Sequence, residues 1–113
     1  MDTTQMDTTQ MDTSQIVLTA EARVSTSMPR RYLHQLCKHF QHKLPVTLDD
    51  WQGRIEFAAG ICELDAATIG GVLQMRVTAA GETELAWLQD VVARHLERFA
   101  FRDEIKIQWT RSI

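Results

Sequence analysis

Alternation of apolar and polar residues marks the first patterned segment, from Ile16 to Ser25. Every second side chain there is apolar, which predicts a strand with one buried face. A helix is predicted next, because Pro29 suits a first helical turn, where its missing N–H group costs no hydrogen bond. We expect it to end near Lys43, since the residue before Pro45 is biased away from helical geometry. The apolar residues spaced to form its core face are Tyr32, Leu33, Leu36, Cys37 and Phe40.

Short strands are predicted through the middle of the chain, where alternating apolar residues are separated by turn residues. They cover approximately residues 45–48, 53–58, 61–65 and 71–78. A second helix is predicted over residues 81–99, with Thr83 near its N-cap. Ile105, Ile107 and Trp109 alternate and predict a final strand. The apolar arc of the second helix is Leu85, Leu88, Val91, Val92, Leu96 and Phe99.

The order β-α-β-β-β-β-α-β predicts an α+β fold. Two helices would pack on one face of a mainly antiparallel sheet and form a two-layer sandwich. Residues 16–113 are predicted to be a single domain of this kind. The pattern leaves the order of the strands open.

Residues 1–15 carry a five-residue repeat, MDTTQ, MDTTQ and MDTSQ. This segment has little apolar surface to offset the entropy of ordering it, so we predict that it is disordered. A start of translation at a later methionine is an alternative origin for the repeat. We do not expect function to lie in it.

The charge pattern argues against a dedicated nucleic-acid-binding domain. The net charge of −3 comes from Asp2, Asp7 and Asp12, because residues 16–113 contain 12 basic and 12 acidic residues. Nucleic-acid-binding domains are usually strongly basic. The beginning of the chain is polar and acidic rather than a signal peptide, and no apolar stretch is long enough to span a membrane. These features predict a cytoplasmic protein with reduced cysteines.

Three blocks of the sequence resemble the bacterial domain-of-unknown-function family 2218. They are Arg31–Lys43 (RYLHQLCKHFQHK), Gly53–Leu64 (GRIEFAAGICEL), and Val91–Arg102 (VVARHLERFAFR) together with Trp109. The resemblance spans roughly residues 16–110. No biochemical activity is assigned to this family. Similar domains are joined to siderophore-interacting flavoproteins, so the resemblance implies a context of iron-siderophore handling.

Cysteines and histidines are the main candidates for chemistry. Zinc and iron sites use these residue types, but Cys37 and His39 point to different sides of a helix. His39 and His42 can share a face, which would give an open two-histidine metal site at most. Their place in the last helical turn also explains them without a ligand, because cations interact well with that end of the helix dipole. Core packing is the simpler interpretation of Cys37 and Cys62.

His95 falls within the apolar arc of the second helix. A structural interpretation gives its ring a hydrogen bond to a carbonyl or hydroxyl across the helix–sheet interface. A functional interpretation makes it the inner wall of a ligand pocket. The candidate ligand-binding residues are His95, Cys37, Cys62, Tyr32 and Arg98.

The chain carries no nucleophile elbow, phosphate-binding loop, dinucleotide fingerprint or Cys-x-x-Cys motif. We therefore predict a small non-catalytic binding or accessory domain, with no cofactor. Its partner would be a small ligand or a siderophore-interacting flavoprotein. The alternative is a metal-binding or redox protein that uses the Cys/His set.

Overall fold

The predicted order of elements is the observed one, and the α+β class is confirmed. The structure is a computed structural model that describes residues 17–67 and 70–112. The predicted disordered tail, residues 1–15, lies outside the described residues. The elements are β1 (Leu18–Ser25), α1 (Pro29–Phe40), β2 (Val46–Leu48), β3 (Gln52–Phe57), β4 (Gly60–Asp65), β5 (Val72–Ala79), α2 (Glu82–Phe99) and β6 (Thr110–Ser112).

The strands form an antiparallel sheet in the order β2-β3-β4-β5-β1-β6. Strands β2 to β5 are neighbours in sequence and in space. The first strand, β1, lies instead between β5 and β6. This insertion of β1 is the feature that alternation along the chain could not predict, because alternation defines the faces of a strand and not its neighbours.

One face of the sheet is covered by both helices and forms the core. Residues directly opposite one another share a face, and one such row is Ile55, Cys62, Val77 and Ala20. All four are fully or almost fully buried. From the helices, the core receives Tyr32, Leu33, Leu36, Cys37, Leu85, Leu88, Val92 and Leu96.

Close packing of α1 on β3 depends on Gly53. A Cβ atom at this position would collide with the Sγ atom of Cys37 and would lie 3.1 Å from a methyl group of Leu33. The absence of a side chain at position 53 therefore lets α1 approach the sheet. This contact buries the Cys37 thiol completely.

Helix α1 is shorter than predicted, since it ends at Phe40 rather than near Lys43. The amides of Lys43 and Leu44 both donate to the carbonyl of Phe40 and form a turn there. Pro45 prevents the helix from continuing, and the chain adjusts a few residues earlier than the proline itself requires. Helix α2 begins after Gly81, and no side-chain hydrogen bond caps it, so Thr83 does not have the predicted capping role.

The final strand is present, but it begins at Thr110, after the predicted residues Ile105, Ile107 and Trp109. These side chains alternate and pack partly buried against the core, but the strand that pairs with β1 is Thr110–Ser112. The alternation reported burial correctly. Backbone pairing needs a free strand edge as well, and here that pairing is limited to residues 19–21 of β1.

Candidate functional site

Six aromatic and histidine rings meet at one end of the helical layer. They are His39, Phe40, Phe57, Trp87, His95 and Phe99, and we call them the ring cluster. The His39 and His95 ring centroids are 4.8 Å apart, and Phe40 lies 4.9 Å from each of them. The edge-to-face contacts extend from Phe40 to Phe57 at 5.1 Å and from Phe57 to Trp87 at 5.9 Å. Such contacts are favourable between rings, so the cluster is an ordered surface.

Three elements bring these rings together. His39 and Phe40 are the last residues of α1, and Phe57 is the last residue of β3. On α2, Trp87 precedes His95 by eight residues and Phe99 follows it by four, so His95 shares a face of the helix with each of them. The cluster is only partly covered, because the side chain of Trp87 is 49% exposed and His39 is exposed.

A hydrogen bond within α2 orients the ring of His95. Its Nδ1 atom lies 2.7 Å from the carbonyl oxygen of Val91, one turn earlier. A carbonyl can only accept, so Nδ1 carries the hydrogen, and in the neutral ring Nε2 carries the lone pair. The predicted bond to a backbone carbonyl is present, but it lies within the helix rather than across the interface with the sheet. The ring is half-buried at the flank of the core.

Basic groups surround the ring of His39. Partial burial of this ring, followed by the charges of His95, Arg98, His42 and Lys43, lowers the pKa of His39 below its ordinary value. Two of these neighbours come from the turn after α1 and two from α2. Every charged neighbour that affects His39 in this way is basic, so its surroundings favour a neutral imidazole and attract anions.

The two cysteines lie in the core and outside the ring cluster. Both thiols are free and buried, which confirms the prediction of core packing. Burial raises the pKa of the Cys37 thiol to about 11. Burial, followed by the neighbouring Cys37 and Glu63, raises that of Cys62 further. A thiolate is the form that attacks electrophiles and binds metals, so both groups are held in their unreactive form.

Tyr32 belongs to a separate hydrogen-bond network. Its hydroxyl donates to Oδ2 of Asp103 at 3.2 Å, and the hydroxyl of Thr26 donates to the same oxygen at 2.6 Å. Burial, and next the carboxylate of Asp103, raises the pKa of Tyr32. We call Thr26, Tyr32 and Asp103 the Asp103 network; it ties the start of α1 to the segment after α2.

The structure therefore divides the sequence-based candidates into two groups. His95, Arg98, His39 and His42 lie in or around the ring cluster, whereas Tyr32, Cys37 and Cys62 do not. Within the described residues, no group of three or more His, Cys, Asp or Glu side chains is arranged to hold a metal ion. None of the helices in this part of the chain is long and apolar enough to cross a membrane.

The uncovered face of the sheet is a second candidate surface. It contains a shallow concavity of about 370 Å³ that Arg54, Glu63 and Arg76 help to line. In register across β3, β4, β5 and β1 stand Arg54, Glu63, Arg76 and Glu21, which alternate in sign. Their closest N–O distances are 3.4, 3.9 and 2.9 Å in that order. Cross-strand pairs of this kind stabilise a sheet and leave these arginines already neutralised.

Sequence reasoning missed the aromatic members of the ring cluster. The sequence pattern places Phe40 and Phe99 on core faces, and both do pack partly buried against the core. It gives no site role to them, to Phe57 or to Trp87. A signal was present, because Trp87, Val91, His95 and Phe99 recur every fourth residue. This stripe carries a tryptophan that lies outside the apolar arc, which is a reason to expect a second surface beside the core face.

Comparison with known proteins gives a family and a structural relative. Residues 21–110 match a family described as "Uncharacterized protein conserved in bacteria (DUF2218)". No curated protein matches the chain. The NMR structure of PA4090 from Pseudomonas aeruginosa is similar, with a TM-score of 0.66 and 35% sequence identity. The similarity covers 85% of this chain and 96% of that one.

Proposed function

The chain belongs to the uncharacterised bacterial family DUF2218, and from its own residues we propose that it is a small non-catalytic binding domain of the cytoplasm. Its ligand would bind at the ring cluster. The observation that supports this proposal is the partly exposed ring cluster with the basic residues His42, Lys43 and Arg98 beside it. Exposed aromatic surface combined with charged groups is typical of recognition sites.

The ring cluster supports binding better than the uncovered face of the sheet does. On that face, Arg54 and Arg76 have carboxylate neighbours at 4.0 Å or less. At the ring cluster, the described residues provide no such partner for Arg98 or Lys43. A ligand would therefore meet cations without a carboxylate partner at the ring cluster, and arginines that are already paired in the concavity of the sheet.

The biological context that we propose is iron-siderophore handling beside a siderophore-interacting flavoprotein. This part of the proposal rests on the resemblance of the three sequence blocks and on the domains to which similar sequences are joined. The domain would then act as an accessory module that binds a small ligand or the flavoprotein itself.

Expression and binding measurements test this context. We expect the transcript to rise under iron limitation, and the purified protein to bind a ferric siderophore or the reductase in calorimetry. Trp87→Ala should weaken that binding. Trp51→Ala is the matched control, because Trp51 is 48% exposed but lies outside the ring cluster. If the transcript level did not change under iron limitation, and neither the siderophore nor the reductase bound at millimolar concentration, the proposed context would be wrong.

The metal-binding or redox alternative has less support, because both thiols are buried and protonated. A metal-binding protein should contain stoichiometric metal when it is purified without a histidine tag. A redox protein should have thiols that react rapidly in the native state. We expect slow reaction with a thiol reagent before unfolding and two free thiols in denaturant. Two rapidly reacting native thiols would favour the redox alternative instead.

A further inference from the structure

We propose that the ligand of the ring cluster is an anion attached to a flat aromatic group, and that the cluster takes up a proton when this ligand binds. This inference rests on the binding function proposed above. Such a ligand should bind more tightly as the pH falls, which a neutral or purely apolar ligand would not do.

Charge around the cluster argues for an anion. Five of the twelve lysine and arginine side chains have a carboxylate within 4.0 Å in the described part of the chain; Arg94, for example, lies 2.9 Å from Asp90, and Arg111 lies 3.1 Å from Glu82. Arg98 and Lys43 are among the seven without such a carboxylate, and theirs are the lysine and arginine charges that lower the pKa of His39. An anion bound beside His39 would therefore be attracted by two cations that have no carboxylate within 4.0 Å in the described chain.

Ring geometry argues for an aromatic group on the anion. The cluster already consists of edge-to-face and tilted contacts with centroid separations between 4.8 and 5.9 Å. Trp87 ends this series with half of its surface in solvent. One more flat ring can extend the series at the geometry that aromatic pairs prefer, and it would cover apolar surface that is now exposed.

Proton uptake follows from the contact between two imidazoles. The ring of His95, whose Nδ1 atom is bonded to the carbonyl of Val91, lies 4.8 Å from the ring of His39. His39 has basic neighbours from both α1 and α2, which hold its pKa below the ordinary value. A bound anion opposes that repulsion and favours the protonated ring. By linkage, the affinity for the anion must rise as the pH falls.

Three small probes separate charge from aromaticity. Benzoate carries both, acetate carries only the charge, and benzamide keeps the flat ring without the charge. Each would be titrated into the full chain and followed by amide and indole NMR shifts at about pH 8 and about pH 6, on either side of histidine titration. We expect benzoate to shift the signals of Trp87, His95 and Phe99, with a dissociation constant in the millimolar range that suits so small a ligand.

The pH dependence should follow the charge of the probe, so benzamide should lack it. For each unit by which the anion raises the pKa of His39, the protonated protein binds it about tenfold more tightly than the neutral protein does. We therefore expect severalfold tighter binding of benzoate at the lower pH and no change for benzamide. His39→Gln should reduce this dependence, whereas His34→Gln, on the same helix but outside the cluster, should leave it intact.

Matched arginine variants locate the charge. Arg98→Gln should weaken benzoate roughly threefold, the effect of one exposed ion pair, and should not change benzamide. Arg94→Gln is the control, because Arg94 is already paired with Asp90. Both side chains are exposed, so both variants should fold.

The outcomes distinguish this inference from the function on which it rests. If none of the probes shifts a cluster signal, the proposed binding site itself is contradicted, and this inference with it. If benzamide binds as well as benzoate at both pH values, the site stands and the anion is wrong. Acetate that binds as tightly as benzoate would overturn the aromatic requirement. Benzoate binding that ignores pH would overturn the proton uptake.

Discussion

Two contacts join α1 to α2 and the segment after it, and they differ in how their polar groups are satisfied. In the Asp103 network, one carboxylate oxygen accepts two hydroxyl donors, and Thr26 and Tyr32 are almost fully buried. In the ring cluster, two imidazoles are in contact beside basic neighbours, and the rings of His39 and Trp87 remain exposed. In the Asp103 network both hydroxyls have an acceptor, whereas the ring cluster still has exposed ring surface that a ligand could contact.

This difference separates a structural contact from a site. Buried hydroxyls without an acceptor cost free energy, so the Asp103 network holds the two helical segments together. The ring cluster adds less to stability, since Trp87 and His39 keep much of their surface in water. Substitutions in the two contacts should therefore affect different measurements.

The largest effect is expected for Asp103→Ala. It removes the acceptor of two buried hydroxyls, so the free energy of unfolding should fall by about 2–3 kcal/mol in urea denaturation. Asp90→Ala is the matched control, because it removes an exposed carboxylate paired with Arg94 and should cost less than about 0.5 kcal/mol. Equal losses for the two variants would mean that the Asp103 network does not hold the helices.

A smaller effect is expected for His95→Ala. The variant loses the bond to Val91 and the contacts with His39 and Phe40, which should cost about 1 kcal/mol in the same measurement. His34→Ala should stay within about 0.5 kcal/mol of the parent. His95→Leu keeps the volume and sharpens the comparison: the fold should survive while benzoate binding is lost. A loss larger than that of Asp103→Ala would assign His95 to the core instead.

The pH dependence of stability should change when His39 is replaced. Its pKa is lower in the folded state than in the unfolded state, mainly through burial, so the unfolded chain binds the proton more tightly. The stability associated with His39 is therefore complete above the unfolded pKa of about 6.5 and is lost as the pH falls below it. Between about pH 7.5 and pH 5.5, the Tm of His39→Gln should decrease less than the Tm of the parent chain does. The difference between the two decreases should be at most about 2 °C. If the Tm of His34→Gln showed the same reduced decrease as that of His39→Gln, the effect would not come from the ring cluster.

The smallest effect is expected from deletion of residues 1–15. The sequence predicts that this tail is disordered, so a chain that begins at Ile16 should have an unchanged Tm within error. Its NMR spectrum should lose a set of sharp random-coil signals and keep those of both contacts. A decrease of several degrees would mean that the tail packs on the domain.

The fold could be predicted from the sequence wherever one face of an element is buried. Alternation located β1 and β5, and three-to-four spacing located the core face of α1, because burial itself has these periods. The same signal failed at Ile105, Ile107 and Trp109, where side chains are half-buried but the backbone has no strand beside it. Hydrophobic patterning reports burial and does not report hydrogen-bond partners.

The candidate site could be predicted only in part. His39 and His95 were found from residue type, but their 4.8 Å contact depends on the packing of two helices that are distant in sequence. The link from Tyr32 to Asp103 could not be predicted either, because no local pattern relates residues 71 positions apart. The spacing of Trp87, His95 and Phe99 was available and predicts a shared face on α2.

The position of β1 determines when the fold can be completed during synthesis. Of the six strands, β1 is synthesised before the others, yet its neighbours β5 and β6 begin only at Val72 and Thr110. The hairpins formed by β2, β3 and β4 need only local contacts, which form early. Strand β1 must wait with both edges unpaired, and exposed edges invite pairing between chains. Glu21 and Arg23 place charges on this strand, and charged side chains on an unpaired edge disfavour pairing between chains.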